Sequence, residues 1–174
     1  VGRALYRAAR DRHLDLEVVA INDLADGETL GRLLQRDSVF GRYAGDIKAT
    51  ASELLVDGDH IRLFAEREPA RLPWSDLGID VVVEITGKFT SRDKAAAHLE
   101  GGAQRVVVGA PLKGADATFV VGVNEDTFDP ERHVVVSNAS CTTNCLVPLV
   151  KVLDDTFGLE QGFMSTVHAY TADQ

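Results

Sequence analysis

The stretch HVVVSNASCTTNC, residues 133–145, decides how this chain is read. A short apolar, β-branched run ends in small polar residues, and LVPLVKVLDDTF (146–157) follows with the look of a helix. A strand that is apolar on both faces belongs in a parallel sheet covered by helices. A strand that hands over to a helix is the repeating unit of an α/β fold. The two cysteines of the chain, Cys141 and Cys145, both lie at this handover.

The same alternation extends upstream. VGRALYRAARDR (1–12) places Val1, Leu5, Ala8 and Ala9 on one helical face. LEVVAIN (16–22) reads as a buried strand, and DGETLGRLLQR (26–36) as a helix capped by Asp26. ATASELLV and HIRLFAE flank Val56-Asp57-Gly58-Asp59, a hairpin signal. IDVVVEIT (79–86) is a further buried strand. RDKAAAHLEGG (92–102) is a helix capped by Thr90 or Ser91 and closed by Gly101 and Gly102. RVVVGA, TFVVGV and HVVVSN supply three more strands, and GFMSTVHAY (162–170) a last one after the cysteine-bearing helix. The order predicts an α/β fold of the doubly wound, Rossmann type over residues 1–139. A second domain is expected from Ser140, where the alternation gives way to longer elements.

Composition narrows the function. The chain has 174 residues, 45% hydrophobic and 26% charged, which is globular and not disordered. Its net charge of −9 argues against nucleic acid held on a broad basic face. Apolar runs of four to eight residues are too short to cross a membrane as helices. Two cysteines do not make a disulfide scaffold, which favours a reducing, cytoplasmic compartment. The chain starts at Val1, already in helix, and stops at YTADQ after a strand-like run. Both ends are therefore expected to be cut, with the first strand of the fold outside the chain.

Chemistry concentrates in two places. If Ser140 caps the helix, Cys141 occupies its first turn, where unpaired N–H groups and the helix dipole favour an anion. A metal site needs more soft ligands than two cysteines, so no metal is expected. A disulfide along one helical turn has poor geometry. Two small buried cysteines remain an alternative, against which the polar neighbours Ser140, Thr142, Thr143 and Asn144 count for Cys141. A nucleophile at Cys141 with a structural partner at Cys145 fits best. His168 lies in MSTVHAYT and matters as a proton acceptor for a thiolate, because His13, His60, His98 and His133 sit in charged, exposed-looking contexts. At the other end, Gly2 and Asp23 have the spacing of a third fingerprint glycine and a ribose-binding acid.

Together these residues resemble the phosphorylating glyceraldehyde-3-phosphate dehydrogenases of bacterial type. SNASCTTNC, INDL at 21–24, AEREPARLPW…EITGKFT from Ala65 to Thr90, GVNED and HAYTADQ stand in that family's order. The resemblance covers the whole chain but about the N-terminal half of the family. It implies an NAD-binding domain at 1–139 and the start of an α+β catalytic domain at 140–174. It implies oxidation of glyceraldehyde 3-phosphate to 1,3-bisphosphoglycerate in glycolysis, with inorganic phosphate as co-substrate, NAD in preference to NADP, and a homotetramer. Cys141 resembles the nucleophile and His168 its base. Gly2, Asn22, Asp23, Arg67, Thr86, Gly87 and the Gly109–Ala110 loop resemble cofactor contacts. Ser140, Thr142 and Thr171 resemble groups that hold substrate or phosphate, and Asn144 one that holds the active-site loop. Ile85 and Gly109 depart from the family's usual Ser and Ser or Thr, and Ala172 from its Asn or Gly. An erythrose-4-phosphate dehydrogenase, or a non-catalytic redox-sensing nucleotide-binding protein, would share parts of this pattern.

Overall fold

A computed structural model describes residues 1–168. Its elements in chain order are α1 (Gly2–Asp11), β1 (Ala20–Asn22), α2 (Gly27–Gln35), β2 (Arg36–Asp37), β3 (Gly41–Arg42), β4 (Ile47–Ala49), β5 (Glu53–Val56) and β6 (Asp59–Phe64). Then come β7 (Val81–Glu84), α3 (Arg92–Ala95), α4 (Ala97–Glu100), β8 (Arg105–Val108), β9 (Ala117–Thr118), β10 (Val135–Ser137) and α5 (Cys141–Phe157). Single 3₁₀ turns sit at Pro69–Arg71 and Glu125–Thr127.

The strands form two four-stranded sheets and a small β2–β3 ribbon. In the first sheet, of order β1-β6-β5-β4, β1 runs parallel to β6 while β4, β5 and β6 are antiparallel neighbours. The hairpin between β5 and β6 turns through Asp57 (φ 54°) and Gly58 (φ 96°), the left-handed pair that an Asp-Gly turn supplies. The second sheet, of order β7-β8-β10-β9, is entirely parallel. The expected parallel α/β architecture is present, divided between two sheets.

Three apolar clusters hold these layers. Tyr6 of α1 and Leu34 of α2 pack on Leu54, Val56 and Ile61 of the first sheet. Ala95, Val106, Val108, Leu112 and Val135 form the core of the second. Leu72, Trp74 and Ala103 lie between the sheets and touch Ala20, Phe64 and Val82. The α1 face that is buried holds Tyr6, Arg7 and Ala9, whereas Leu5 is exposed. Arg7 is buried because its guanidinium donates to Leu34 O and Gly41 O, tying α1 to the end of α2 and the β2–β3 ribbon.

Several expected elements differ. LEVVAIN forms a strand over its last three residues alone, and these are half-buried. TFVVGV does not extend beyond Thr118, because Asn124 takes the N–H of Val120 and donates to Thr118 O, closing a turn. The 92–102 helix is split into α3 and α4, and Ser91 makes no side-chain cap. Proline in a helix interior removes an N–H and commonly kinks or breaks the helix, yet α5 runs on through Pro148 without a break. GFMSTVHAY forms no strand within its described part, 162–168; no neighbouring strand pairs with its backbone. Among the described residues, no helix is long and apolar enough to cross a membrane.

Candidate active site

The turn from β10 into α5 is built by three side chains. Ser137, buried at the end of β10, donates its hydroxyl to Ala110 O (2.7 Å) and accepts the N–H of Ala139 (3.0 Å). Ala139 is held at φ 58°, a left-handed conformation that costs a non-glycine residue about 1–3 kcal/mol and persists where neighbours enforce it. Asn144 reaches back from the first turn to donate to Asn138 O (2.7 Å) and Ser140 O (2.9 Å). Ser140 is the N-cap, its hydroxyl accepting the N–H of Thr143 (3.0 Å). Cys141 is therefore the first residue of a seventeen-residue helix, exposed, at the positive end of the helix dipole. Cys145 is exposed as well, so the alternative of two small buried cysteines is not met; no residue of α5 is fully buried.

His168 comes to the same helical turn. Its Nε2 bonds Thr142 Oγ1 at 2.8 Å, so Thr142, not Cys141, is its partner in this structure. Thr171 lies outside the described residues.

The other expected site residues stand at the carboxyl ends of the parallel strands, where open α/β sheets bind ligands. Gly2 opens α1 against the end of β7: a Cβ there would lie 2.5 Å from Ile85 Cδ1, so the helix approaches as closely as glycine permits. Asp23 follows β1, is exposed, and uses Oδ1 to accept the N–H of Ala25 (2.9 Å). A hollow of about 370 Å³ opens directly after it, lined by Leu24–Gly27, Ala51 and Leu63–Ala65. Asn22 is engaged elsewhere: its amide donates to Glu66 O (2.9 Å) and accepts Glu66 N–H (2.8 Å). It thereby holds the segment that presents the exposed Arg67. Thr86 and Gly87 form an exposed turn after β7, with Gly87 at φ 74° and no atom within 4 Å of where its Cβ would be. Gly109 donates its N–H to Glu84 O (2.9 Å) beside them. Among the described residues, no group of three or more His, Cys, Asp or Glu could hold a metal.

Residues 1–92 match the family model described as the glyceraldehyde 3-phosphate dehydrogenase NAD binding domain, and residues 140–174 match that of the C-terminal domain. The chain belongs to the glyceraldehyde-3-phosphate dehydrogenase family. It is 55% identical to glyceraldehyde-3-phosphate dehydrogenase of Kitasatospora aureofaciens, 52% identical to that of Geobacillus stearothermophilus, and 52% identical to glyceraldehyde-3-phosphate dehydrogenase 1 of Streptomyces avermitilis. Each match takes in the whole chain and 52% of the relative. The chain spans about half the length of the curated relatives it matches.

Against the glyceraldehyde-3-phosphate dehydrogenase pattern, the two departures at Ile85 and Gly109 explain each other. A Cβ at position 109 would stand 2.7 Å from Ile85 Cγ2. The large side chain at 85 fills the space that a Ser or Thr at 109 would need. Two further contributors escaped the sequence reading. Ser137 was signalled by a hydroxyl closing an apolar strand, and Glu84 by a lone carboxylate within VVVEIT. His98, read as exposed, is 4% exposed and bonded to Glu84.

Proposed function

We propose that the full-length protein oxidises glyceraldehyde 3-phosphate to 1,3-bisphosphoglycerate, with inorganic phosphate and NAD, through a covalent adduct on Cys141. The observation that carries this reading is the β10–α5 turn: an exposed thiol on the first residue of a helix, with the imidazole of His168 bonded to the next residue. Membership of the family supports it. We divide the chain into an NAD-binding domain at 1–139 and the start of a catalytic domain at 140–174. That no residue of α5 is fully buried against the other described residues supports this division.

The chemistry follows from the residues. The helix start stabilises a thiolate at Cys141, whose Sγ adds to the aldehyde carbon. The carbonyl electron pair moves to oxygen, where the Cys141 backbone N–H and His168 stabilise it. His168, protonated while it pairs with the thiolate, gives its proton to that oxygen and takes it back as the carbon loses its hydrogen as hydride and the C–O double bond of the thioester forms. NAD, when bound, supplies the hydride acceptor. Inorganic phosphate, held by Ser140, Thr142 and Thr171, attacks the thioester carbon and releases the Cys141 thiolate. The residues at the strand ends fit the cofactor. Asp23 is an exposed carboxylate, one oxygen accepting the N–H of Ala25, placed for the ribose hydroxyls, Gly87 leaves open space, and Gly2 permits close packing. Thr86 and Gly109 line the same edge, and Asn22, beside Asp23, holds the Arg67 segment through its side-chain bonds to Glu66. A carboxylate at Asp23 repels a 2′-phosphate, which favours NAD over NADP. We further propose a cytoplasmic homotetramer.

The test is steady-state kinetics of the full-length protein with both aldehydes and both cofactors. Glyceraldehyde 3-phosphate with NAD should give the highest kcat/KM, and Cys141→Ser should abolish turnover. Asp23→Ala should lower the NAD:NADP preference about tenfold or more. Faster turnover of erythrose 4-phosphate, or ready oxidation of Cys141 without turnover, would replace this reading.

A further inference from the structure

Glu84 is a carboxylate inside a buried strand, 4% exposed, in a part of the molecule where the proposed chemistry does not use it. Its surroundings assign every proton near it. Trp74 Nε1 can only donate, so its 3.1 Å bond makes His98 Nδ1 the acceptor. The proton of a neutral His98 is then on Nε2, which donates to Glu84 Oε2 at 3.1 Å. Thr86 Oγ1 accepts the N–H of Lys88 (3.2 Å), which directs its own O–H to Glu84 Oε1 at 2.5 Å. Thr86 N–H donates to the same oxygen at 2.7 Å. All three groups facing Glu84 are donors and favour an acceptor-only partner, the ionised carboxylate. Trp74 stacks on His98 at 6.2 Å, and Phe89 meets the ring edge-on at 6.1 Å, so the imidazole cannot turn without displacing an aromatic ring.

We propose that Trp74, His98 and Glu84 form a positioning chain for the cofactor-lining edge, fixing the Thr86–Gly87 turn through the Glu84 carboxylate and Gly109 through the Glu84 carbonyl. This rests on the reading that Thr86, Gly87 and Gly109 line NAD. One residue thus ties two adjacent strand ends, by its side chain on one side and its backbone on the other. The Thr86–Gly87 turn is exposed, and the bonds to Glu84 hold it from beneath. Burial alone would push the Glu84 carboxyl up, but the bonds from His98 and Thr86 outweigh it and hold it below its ordinary value.

The test uses the full-length protein. In wild type carrying ¹⁵N-histidine, His98 should show an unprotonated Nδ1 and a protonated Nε2; a proton on Nδ1 overturns the chain, whether or not any variant folds. Glu84→Gln presents an NH₂ group to a donor whichever way it turns, to His98 Nε2–H or to Thr86 N–H. It should raise KM for NAD about tenfold, with kcat changed less than about twofold. Adding Trp74→Phe lets the His98 proton move to Nδ1, so that Nε2 accepts from the glutamine amide and KM falls back. An unchanged KM in Glu84→Gln beside a lowered melting temperature would reduce Glu84 to a stabilising residue and overturn the proposal, as would failure of Trp74→Phe to rescue. The exposed Asp23→Ala variant separates the two claims. If Asp23→Ala weakens NAD binding and Glu84→Gln does not, the positioning chain fails alone. If the wild type does not bind NAD, the cofactor reading fails.

Discussion

Residues 1–139 and residues 140–168 are held in different ways. The first stretch packs three apolar clusters, with Val56, Ile61, Ala95, Val106 and Val135 fully buried. In the second, α5 buries none of its seventeen residues, and Leu149, Val152 and Phe157 are 60, 64 and 81% exposed. The proposed nucleophile stands on the seam and takes its geometry from the first side. Ser137 and Asn138 are bonded to Ala110 O and Val108 O at the end of β8, and Ser140 and Asn144 complete the turn locally. The proposed base lies on the second side and, among the described residues, is held by one side-chain bond, to Thr142. A thiol at a helix start is thus positioned by capping and strand-end bonds. A histidine in an extended segment takes its position from whatever that segment packs on.

The sharpest way to break this contrast is to remove one ion pair from each side. Asp116 accepts from Arg92 Nε and from the N–H groups of Val134 and Val135, joining α3 to the start of β10. Asp116→Ala leaves those donors unmatched and should cost about 2–4 kcal/mol by urea unfolding of the full-length protein. Lys151→Ala, which removes the exposed pair with Asp155, should change stability by less than about 0.5 kcal/mol. Comparable losses would mean that the two regions are not held differently. Asp116 also sets a sign with pH. Burial raises its carboxyl, but the bonds from Arg92, Val135 and Val134 outweigh that and hold it below the ordinary value. Its contribution is present above the ordinary aspartate value of about 3.9 and is lost as pH falls through the lower folded value. Asp116→Ala should therefore flatten the acid limb of the stability profile.

A smaller effect tests the packing beneath the cofactor edge. Gly109→Ala should destabilise by about 1–3 kcal/mol through its clash with Ile85. In an Ile85→Ala background the same change should cost less than about 0.5 kcal/mol. Additive losses would show that the two positions are independent. Smaller again, Ser140→Ala removes the cap that accepts Thr143 N–H and should cost about 1 kcal/mol, while slowing alkylation of Cys141 more than that of Cys145.

Much of this was legible in the sequence because it is local. The Asp26 and Ser140 caps, the Asp57-Gly58 hairpin and the short valine-rich parallel strands each depend on residues a few positions apart. What escaped depends on distant partners. His98 looked exposed because the charged Asp93, Lys94 and Glu100 stand near it in sequence, yet Trp74 and Glu84 enclose it from elsewhere in the chain. Asn22 resembles a cofactor contact of the family, and its local sequence gives no sign that its amide bonds Glu66, 44 residues on. GFMSTVHAY has strand composition, but a strand also needs a neighbour to bond, and none pairs with residues 162–168.

The most direct test of the central claim is competitive alkylation of the two thiols. Both are exposed, so accessibility alone predicts equal rates, whereas Cys141 begins α5 and Cys145 lies a turn inside. With limiting iodoacetamide near neutral pH, mass spectrometry of the full-length protein should find Cys141 modified about tenfold or more faster than Cys145, with Cys141 slowed by His168→Asn. Equal labelling of the two, unaffected by His168→Asn, would contradict the assignment of Cys141 as the nucleophile.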